Sequence, residues 1–220
     1  MNRPRLLDLF CGQGGAAMGY HRAGFDVVGV DINLQPNYPF EFHQGDALDY
    51  LLAYGDEFDA IHTSPPCQGY SALRSLHTGK HPMLVGAVRL LLQETGVPWV
   101  IENVPGAPLI DPVVLCGSHF DLGTTCRDGI YRQLRRHRLF ESSERLSVVR
   151  SCCHAGQPVG VYGHGGGGQM TRGYKGDKAD SLAAMGTPWM DRRGVSQSIP
   201  PAYTEHVGRQ LIAAMLQSAA

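Results

Sequence analysis

The residues best suited to chemistry lie in one stretch, Ile61-His62-Thr63-Ser64-Pro65-Pro66-Cys67-Gln68-Gly69-Tyr70-Ser71. Proline fixes its own φ and pushes the residue before it into extended conformations, so Ser64-Pro65-Pro66 is a stiff segment. It follows a strand-like run, Phe58-Asp59-Ala60-Ile61. A stiff loop just past a strand end holds a thiol at a set height above a sheet, where it can serve as a nucleophile. A cysteine met alone is more often a small apolar filler. The elements around Cys67 decide between the two.

Arg5-Leu6-Leu7-Asp8-Leu9-Phe10 reads as a short strand, Cys11-Gly12-Gln13-Gly14-Gly15 as a turn, and residues 16–24 as a helix closed by a glycine. Residues 25–31 form a second strand with Asp31 at its C-terminal end. Glycines let a backbone approach a ligand, and such an acid can accept hydrogen bonds from a ribose. The spacing departs from the GxGxxG dinucleotide pattern, so the strand-turn-helix-strand-acid context carries the argument. Asp46 follows at a strand-to-helix junction, where a plain N-cap is the simpler role. A fourth strand over 58–63, a helix over 82–93 opening on Pro82, and a fifth strand over 97–104 ending in Glu102-Asn103 complete the alternation. The pattern predicts an α/β fold: a mostly parallel sheet with helices on both faces and ligands beyond the strands' C-terminal ends. Phe10, Asp31, Asp46, Cys67 and Glu102 all fall at that edge. Five such residues at one edge predict an active site.

Composition bounds the class. The chain has 220 residues, 43% of them hydrophobic, enough for one core and a small appendage. The net charge of −1 excludes a protein that is basic all over. Arg127, Arg132, Arg135, Arg136, Arg138, Arg145 and Arg150 nevertheless crowd one stretch against Asp128, Glu141 and Glu144. Such a stretch fits contact with a polyanion at one face, and equally a solvated face. No apolar run is long enough to span a membrane, and the start does not resemble a signal peptide. Six dispersed cysteines form no disulfide framework, which implies a reducing, cytoplasmic setting. The run Gly165-Gly166-Gly167-Gly168 reads as a mobile loop.

Three motifs in order, Asp8-Leu9-Phe10-Cys11-Gly12-Gln13-Gly14-Gly15, Pro65-Pro66-Cys67-Gln68 and Glu102-Asn103-Val104, resemble signatures of the cytosine-C5 DNA methyltransferases. Arg136-His137-Arg138 is similar to that family's Arg-x-Arg motif, and Met185-Gly186-Thr187-Pro188, Ile199-Pro200-Pro201 and Val207-Gly208 to its C-terminal motifs. The resemblance implies a Rossmann-like, S-adenosylmethionine-dependent methyltransferase fold. It implies a cofactor pocket of Phe10, against the adenine, with Cys11, Gly12, Gly14 and Gly15. Asp31, a shorter acid where the family has glutamate, would take the ribose beside Ile32. Asp46 would meet the adenine amino group, with Pro66 and Ser198 completing the pocket. Cys67 is then the nucleophile, Glu102 the acid at the cytosine N3 edge, and Arg136 and Arg138 position base and nucleophile. Gln68, Ser71 and Asn103 would contact the substrate, double-stranded DNA. A monomer without a metal is implied, with a catalytic core over 1–145, a reduced target-recognition segment over 146–184, and C-terminal motifs returning to the core over 185–220.

The residue types suit that chemistry. Carbon 5 of cytosine is too weak a nucleophile until a thiolate adds to carbon 6 and breaks the aromaticity. A carboxyl with a raised pKa can hold a proton at N3 and drain the developing charge. The target must leave the duplex stack, at a cost of a few kcal/mol, and the arginines of 127–150 would then supply phosphate and pocket contacts.

The chain departs from the family in three places. Leu134 stands where a glutamine normally opens the arginine motif, with Gln133 one residue off. Ser196-Gln197-Ser198 replaces Gly-Asn-Ala before the prolines. The reader segment is far shorter than usual and reads as a flexible loop or β-hairpin without an independent core, implying a short recognition sequence or little specificity. Cys152, Cys153, His154 and His164, with Cys116 or Cys126, offer metal-ligand types, but adjacent cysteines lack the spacing of zinc knuckles, so structural thiols are expected. The alternatives are the same chemistry on RNA or with a modified methyl donor, and a catalytically idle DNA-binding relative. Intact Cys67 and Glu102 oppose the last.

Overall fold

A computed structural model describes residues 3–66, 83–148, 150–162, 168–170 and 173–218. Cys67, Gln68, Ser71, Pro82, His164 and most of the glycine run lie outside the described residues. In chain order the elements are β1 (Arg5–Leu9), α1 (Gly15–Ala23), β2 (Asp26–Asp31), β3 (Glu41–Gln44), α2 (Ala47–Tyr54), β4 (Ala60–Thr63), α3 (Val85–Thr95), β5 (Trp99–Asn103), β6 (Val113–Leu115), β7 (Gly123–Thr125), β8 (Tyr131–Gln133), β9 (Arg138–Ser142), β10 (Val159–Gly160), β11 (Gly168–Met170), β12 (Gly173–Lys175), α4 (Lys178–Met185), α5 (Arg192–Gln197) and α6 (Pro201–Ser218).

The main sheet runs β3-β2-β1-β4-β5-β9-β6. β1 pairs in parallel with β2 and β4, and β4 with β5. β9 then enters antiparallel between β5 and β6. The fold is the Rossmann-like, mostly parallel α/β sheet that the alternation predicts. Side chains alternate along a strand, so β1 sends Leu6 to one face and Leu7 and Leu9 to the other. Leu6 joins Tyr20, Phe25, Val100, Tyr203 and Leu211 under α1 and α6. Leu7 and Leu9 join Val28, Leu51, Val88 and Leu92 under α2 and α3. Each such side chain contributes about 1.5–3 kcal/mol on burial. Arg89 of α3 makes a two-point ion pair with Glu141 of β9 (2.6 and 2.8 Å), fixing that helix over the sheet. Among the described residues no helix is long and apolar enough to cross a membrane.

α6 brings the C-terminal motifs back onto α1. The two helices touch through glycines: a Cβ on Gly19 would lie 2.1 Å from the Pro201 carbonyl oxygen, and one on Gly208 would lie 2.8 Å from the Ala23 Cβ. Thr204 Oγ1 donates to the Ala16 carbonyl at 2.8 Å, closing the contact.

The segment over 146–184 is more built than its composition suggests. β11 and β12 form an antiparallel hairpin, and β10 adds in parallel. With α4 and α5 these strands enclose a third apolar cluster of Cys126, Leu134, Val159, Val161, Tyr174, Met185, Met190 and Val195. Residues from before, within and after 146–184 share it, which is how so short a segment acquires a core. Leu134 is buried there and bridges to Val159, so the position where the family has a glutamine faces apolar packing.

Gly19→Val should lower the unfolding free energy by about 1–3 kcal/mol through overpacking. Gly86→Ala, on an exposed turn of α3 with nothing within 4 Å, should raise it by about 0.5–1 kcal/mol. Urea unfolding of the two variants checks the contrast.

Candidate active site

Phe10, Asp31, Asp46 and Glu102 sit at or just past the C-terminal ends of strands, as the alternation requires. The chain turns sharply after β1: Phe10 and Gly12 have φ of 57° and 50°, and Gly14 caps α1 at 79°. A positive φ suits glycine and strains phenylalanine, so Phe10 is held in an unusual conformation by its neighbours. The Cys11 N–H donates to the Val30 carbonyl (3.1 Å), pinning the turn to β2.

Asp31 is half-buried, and its Oδ2 accepts from the Gly12 N–H (3.1 Å) while Oδ1 accepts from the Asn33 N–H (2.9 Å). Its carboxylate is thereby oriented beside the turn, next to an exposed Ile32. A Cβ on Gly12 would meet nothing within 4 Å, so the backbone there faces open space. A turn with an open face, a fixed carboxylate and an exposed apolar side chain fits a nucleoside-bearing cofactor.

The other positions expected at the cofactor also make contacts within the protein. Cys11 turns inward: it is buried in the core with Ala16, Ala17 and Tyr38, and burial pushes its thiol far up, so only its backbone can face a cofactor. Asp46 caps α2, its Oδ1 accepting from the N–H groups of Leu48 (2.8 Å) and Asp49 (3.2 Å). Ser198 ends α5 and packs against the turn, since a Cβ on Gly15 would lie 2.9 Å from the Ser198 Cβ. Gln13 ties down the same C-terminal segment, its Oε1 accepting from the Asp191 N–H (3.0 Å) and its carbonyl from Trp189 Nε1 (2.8 Å).

Asn103 is buried, and its amide donates to the Pro65 carbonyl at 3.0 Å while its Oδ1 accepts from the Val104 N–H at 2.9 Å. Both ends of the side chain are committed to the protein. Asn103 therefore positions the proline loop and is not free to read a base. The bond places the end of β5, with Glu102, directly beside Pro65-Pro66, the entrance to Cys67.

Glu102 is buried, and Arg138 Nε lies 3.0 Å from its Oε1, although no N–H points at that oxygen well enough for a hydrogen bond. Burial raises the Glu102 pKa; Arg138, then Ser64 and Arg136, oppose the rise. The net direction is upward, which favours the neutral acid. Arg136 holds backbone, donating to the carbonyls of Val161 (3.2 Å) and Ser196 (2.6 Å). The other arginines follow suit. Arg132 pairs with Asp128 (2.7 Å) and lies 4.1 Å over the Tyr174 ring, Arg135 reaches the Ala155 carbonyl (2.9 Å), and Arg150 that of Ser118 (2.8 Å). The basic stretch is mostly internal scaffolding rather than the phosphate-contacting face expected of it.

A buried polar layer escapes the sequence reading. Asp8 is fully buried with neither carboxylate oxygen hydrogen-bonded, and burial and Asp31 push its pKa well above the usual range. Beside it on β4, His62 bridges Tyr20 Oη and Ser64 Oγ, 3.0 Å from each. Burial pushes His62 down to about 3, so it is a neutral imidazole with one donor and one acceptor nitrogen. The signal available was an acid and a histidine inside otherwise apolar strands.

With this geometry in place, the class is a Rossmann-like, mostly parallel α/β protein. A structure of 97% coverage, a candidate DNA modification methyltransferase encoded within a prophage (E. coli), superposes with a TM-score of 0.63 at 15% identity, covering 99% of that chain. The Entamoeba histolytica methyltransferase EhMeth superposes at 0.54 and 11% identity, with 98% and 99% of the two chains covered. Both show the fold alone. Residues 4–108 match the profile described as C-5 cytosine-specific DNA methylase. Type II methyltransferase M.XorII of Xanthomonas oryzae pv. oryzae is 30% identical over 125 residues, 48% of this chain and 29% of that protein. M.HgiGI of Herpetosiphon aurantiacus is 28% identical over 120 residues, 48% of this chain and 94% of that protein. The chain thus spans under a third of M.XorII.

Removing the Asn103 amide leaves the Pro65 carbonyl unpartnered, so Asn103→Ala should cost about 1–3 kcal/mol in urea unfolding. Glu102 has a raised pKa in the fold, so it binds its proton more tightly there than in the unfolded chain. Its contribution to stability is complete below the ordinary carboxylate range and is lost as pH rises through its folded value. Glu102→Gln should therefore gain stability relative to the parent across that window and hold the gain above it, as unfolding curves at stepped pH would show.

Proposed function

We propose that the chain is a DNA cytosine-C5 methyltransferase that uses S-adenosylmethionine and acts through Cys67. The observation that carries this is the Asn103–Pro65 bond, which sets a buried Glu102, its pKa raised by burial, beside the segment leading to Cys67. The match over residues 4–108 supports the same reading, as does the type II methyltransferase description of the relatives.

The cofactor, when bound over the Gly12 turn with its ribose toward Asp31 and its adenine toward Phe10, Ile32 and Asp46, supplies the methyl group. Pro66 and Ser198 would border it. Double-stranded DNA is the substrate, with one cytosine turned out of the stack. The Cys67 thiolate adds to carbon 6, and Glu102 gives N3 a proton or a strong hydrogen bond, so that the electron pair displaced from the 5,6 double bond sits on carbon 5. Carbon 5 takes the methyl group; loss of its proton and expulsion of Cys67 restore the ring. Arg138 keeps the Glu102 carboxyl directed. Arg136 acts at one remove by holding the backbone on either side of the reader region, and Gln68 and Ser71 flank the nucleophile at the substrate. Residues 146–184 act as a minimal reader, consistent with a short recognition sequence.

Duplex DNA carrying 5-fluorocytosine tests this. Fluorine at carbon 5 cannot leave as a proton does, so the parent protein with S-adenosylmethionine should form a covalent adduct stable to denaturing gels. Cys67→Ala should form none while still binding cofactor. A folded, cofactor-binding parent that gives no adduct would move the assignment to a non-catalytic DNA-binding relative. An adduct on the equivalent RNA alone would move the substrate.

A further inference from the structure

The expectation of structural thiols does not match how the fold groups them. Cys116, His137, Cys152 and His154 converge from three separate segments, with one ligand atom of each lying within 4.8 Å of all the others. Cys116 ends the stretch after β6, His137 stands between Arg136 and Arg138, and Cys152 and His154 lie in the irregular stretch between β9 and β10. The Cys152 Sγ is 2.8 Å from His154 Nε2 and 3.4 Å from His137 Nε2, and the Cys116 Sγ is 3.4 Å from His154 Nε2. A tetrahedral zinc with bonds of about 2.3 Å to sulfur and 2.0–2.1 Å to nitrogen spaces its ligands about 3.3–3.8 Å apart. Two of these separations match such an edge, the Cys152–His154 one is shorter, and all four atoms lie within 4.8 Å of one another.

From this the geometry points to a structural zinc site with a Cys116-His137-Cys152-His154 ligand set. Two thiolates and two neutral imidazoles are the donors that favour zinc over magnesium or calcium. Binding releases the two thiol protons to solvent, and the dication with two thiolates is neutral, which suits a site against the protein interior. Four protein ligands close the coordination sphere, as in structural rather than catalytic zinc sites.

A second, independent observation supports the site. Residues 151–157 are all exposed and in no helix or strand, so no apolar core accounts for their placement. They are nevertheless drawn against the 3₁₀ turn at Gly117–Phe120. The buried Ser118 hydroxyl lies 3.4 Å from both sulfurs and accepts from the Cys153 N–H at 3.2 Å. With one proton to give, the Ser118 hydroxyl can donate to one thiolate at a time, and a hydrogen bond of that kind orients a metal-bound sulfur. Weak thiol hydrogen bonds alone offset little of the entropy of ordering such a segment. A metal does so directly, because its binding energy becomes folding energy. The pattern is hidden in the sequence because only the first of the adjacent cysteines takes part and two ligands come from before residue 140. The site would fasten the start of the reader region to the strand that carries Arg138.

The test is metal content by mass spectrometry of protein purified in reductant, supplied with zinc and dialysed. The parent should retain about one zinc per chain, and its cobalt form should show the visible bands of tetrahedral thiolate coordination. Cys152→Ser and His154→Ala remove exposed ligands and should each lose the metal while circular dichroism confirms a folded chain. Cys153→Ser should keep it. A folded parent that retains no zinc overturns the proposal, and so does a Cys152→Ser/His154→Ala double variant that retains as much as the parent. A Cys116–Cys152 disulfide formed in place of metal binding overturns it as well.

Discussion

The placement of Glu102 beside Arg138 depends on one departure from a purely parallel sheet. β9 runs antiparallel beside β5, setting Glu102 opposite Phe140 and Asn103 opposite Leu139. The residue before that pairing, Arg138, then stands over the end of β5. A carboxyl buried here would ionise only at high cost without a cation, and with too strong a pair it would never keep its proton. Arg138 at 3.0 Å without a well-directed hydrogen bond lies between these limits. The acid remains raised and is still steered. Asn103, one residue on, spends its whole amide on Pro65 and its own neighbour, so one strand end holds both Glu102 and the proline segment.

The second constraint is the return of the C-terminal helix. α6 presses on α1 at glycine contacts, and Gln13 of the first turn bonds to the segment around Asp191. The turn after β1 is therefore held by residues far apart in the sequence. The third apolar cluster extends that economy to the reader region. It borrows Leu134 and Cys126 from before that region and Met190 and Val195 from after it, and so builds a core that residues 146–184 lack on their own.

Most of the scaffold was legible because it is governed by local rules. The alternation of apolar strands, glycine turns and amphipathic helices located β1, β2, β4, β5, α1 and α2 to within a few residues. α3 was also found, though it begins at Val85 rather than at Pro82. The edge at which ligand-facing residues collect follows from parallel pairing alone, so Phe10, Asp31, Asp46 and Glu102 could be placed there from the sequence. Roles were less legible than positions. Cys11 and Asn103 have the right location, but their side chains are turned to the core and to Pro65. An arginine-rich stretch reads as a polyanion surface in sequence, yet its guanidinium groups mostly satisfy carbonyls and acids of this chain.

The sequence by itself therefore determined the α/β order, the edge that holds the site, and the residue types available there, since all three depend on short-range periodicity and on the geometry of parallel strands. Tertiary structure decided what each side chain faces. The antiparallel insertion of β9 paired Arg138 with Glu102, and burial raised the pKa of Asp8 and Glu102 and lowered that of His62. The convergence of Cys116, His137, Cys152 and His154 is likewise a product of long-range folding. Proton affinity and ligand geometry depend on desolvation and on contacts between residues tens of positions apart, which no local pattern records.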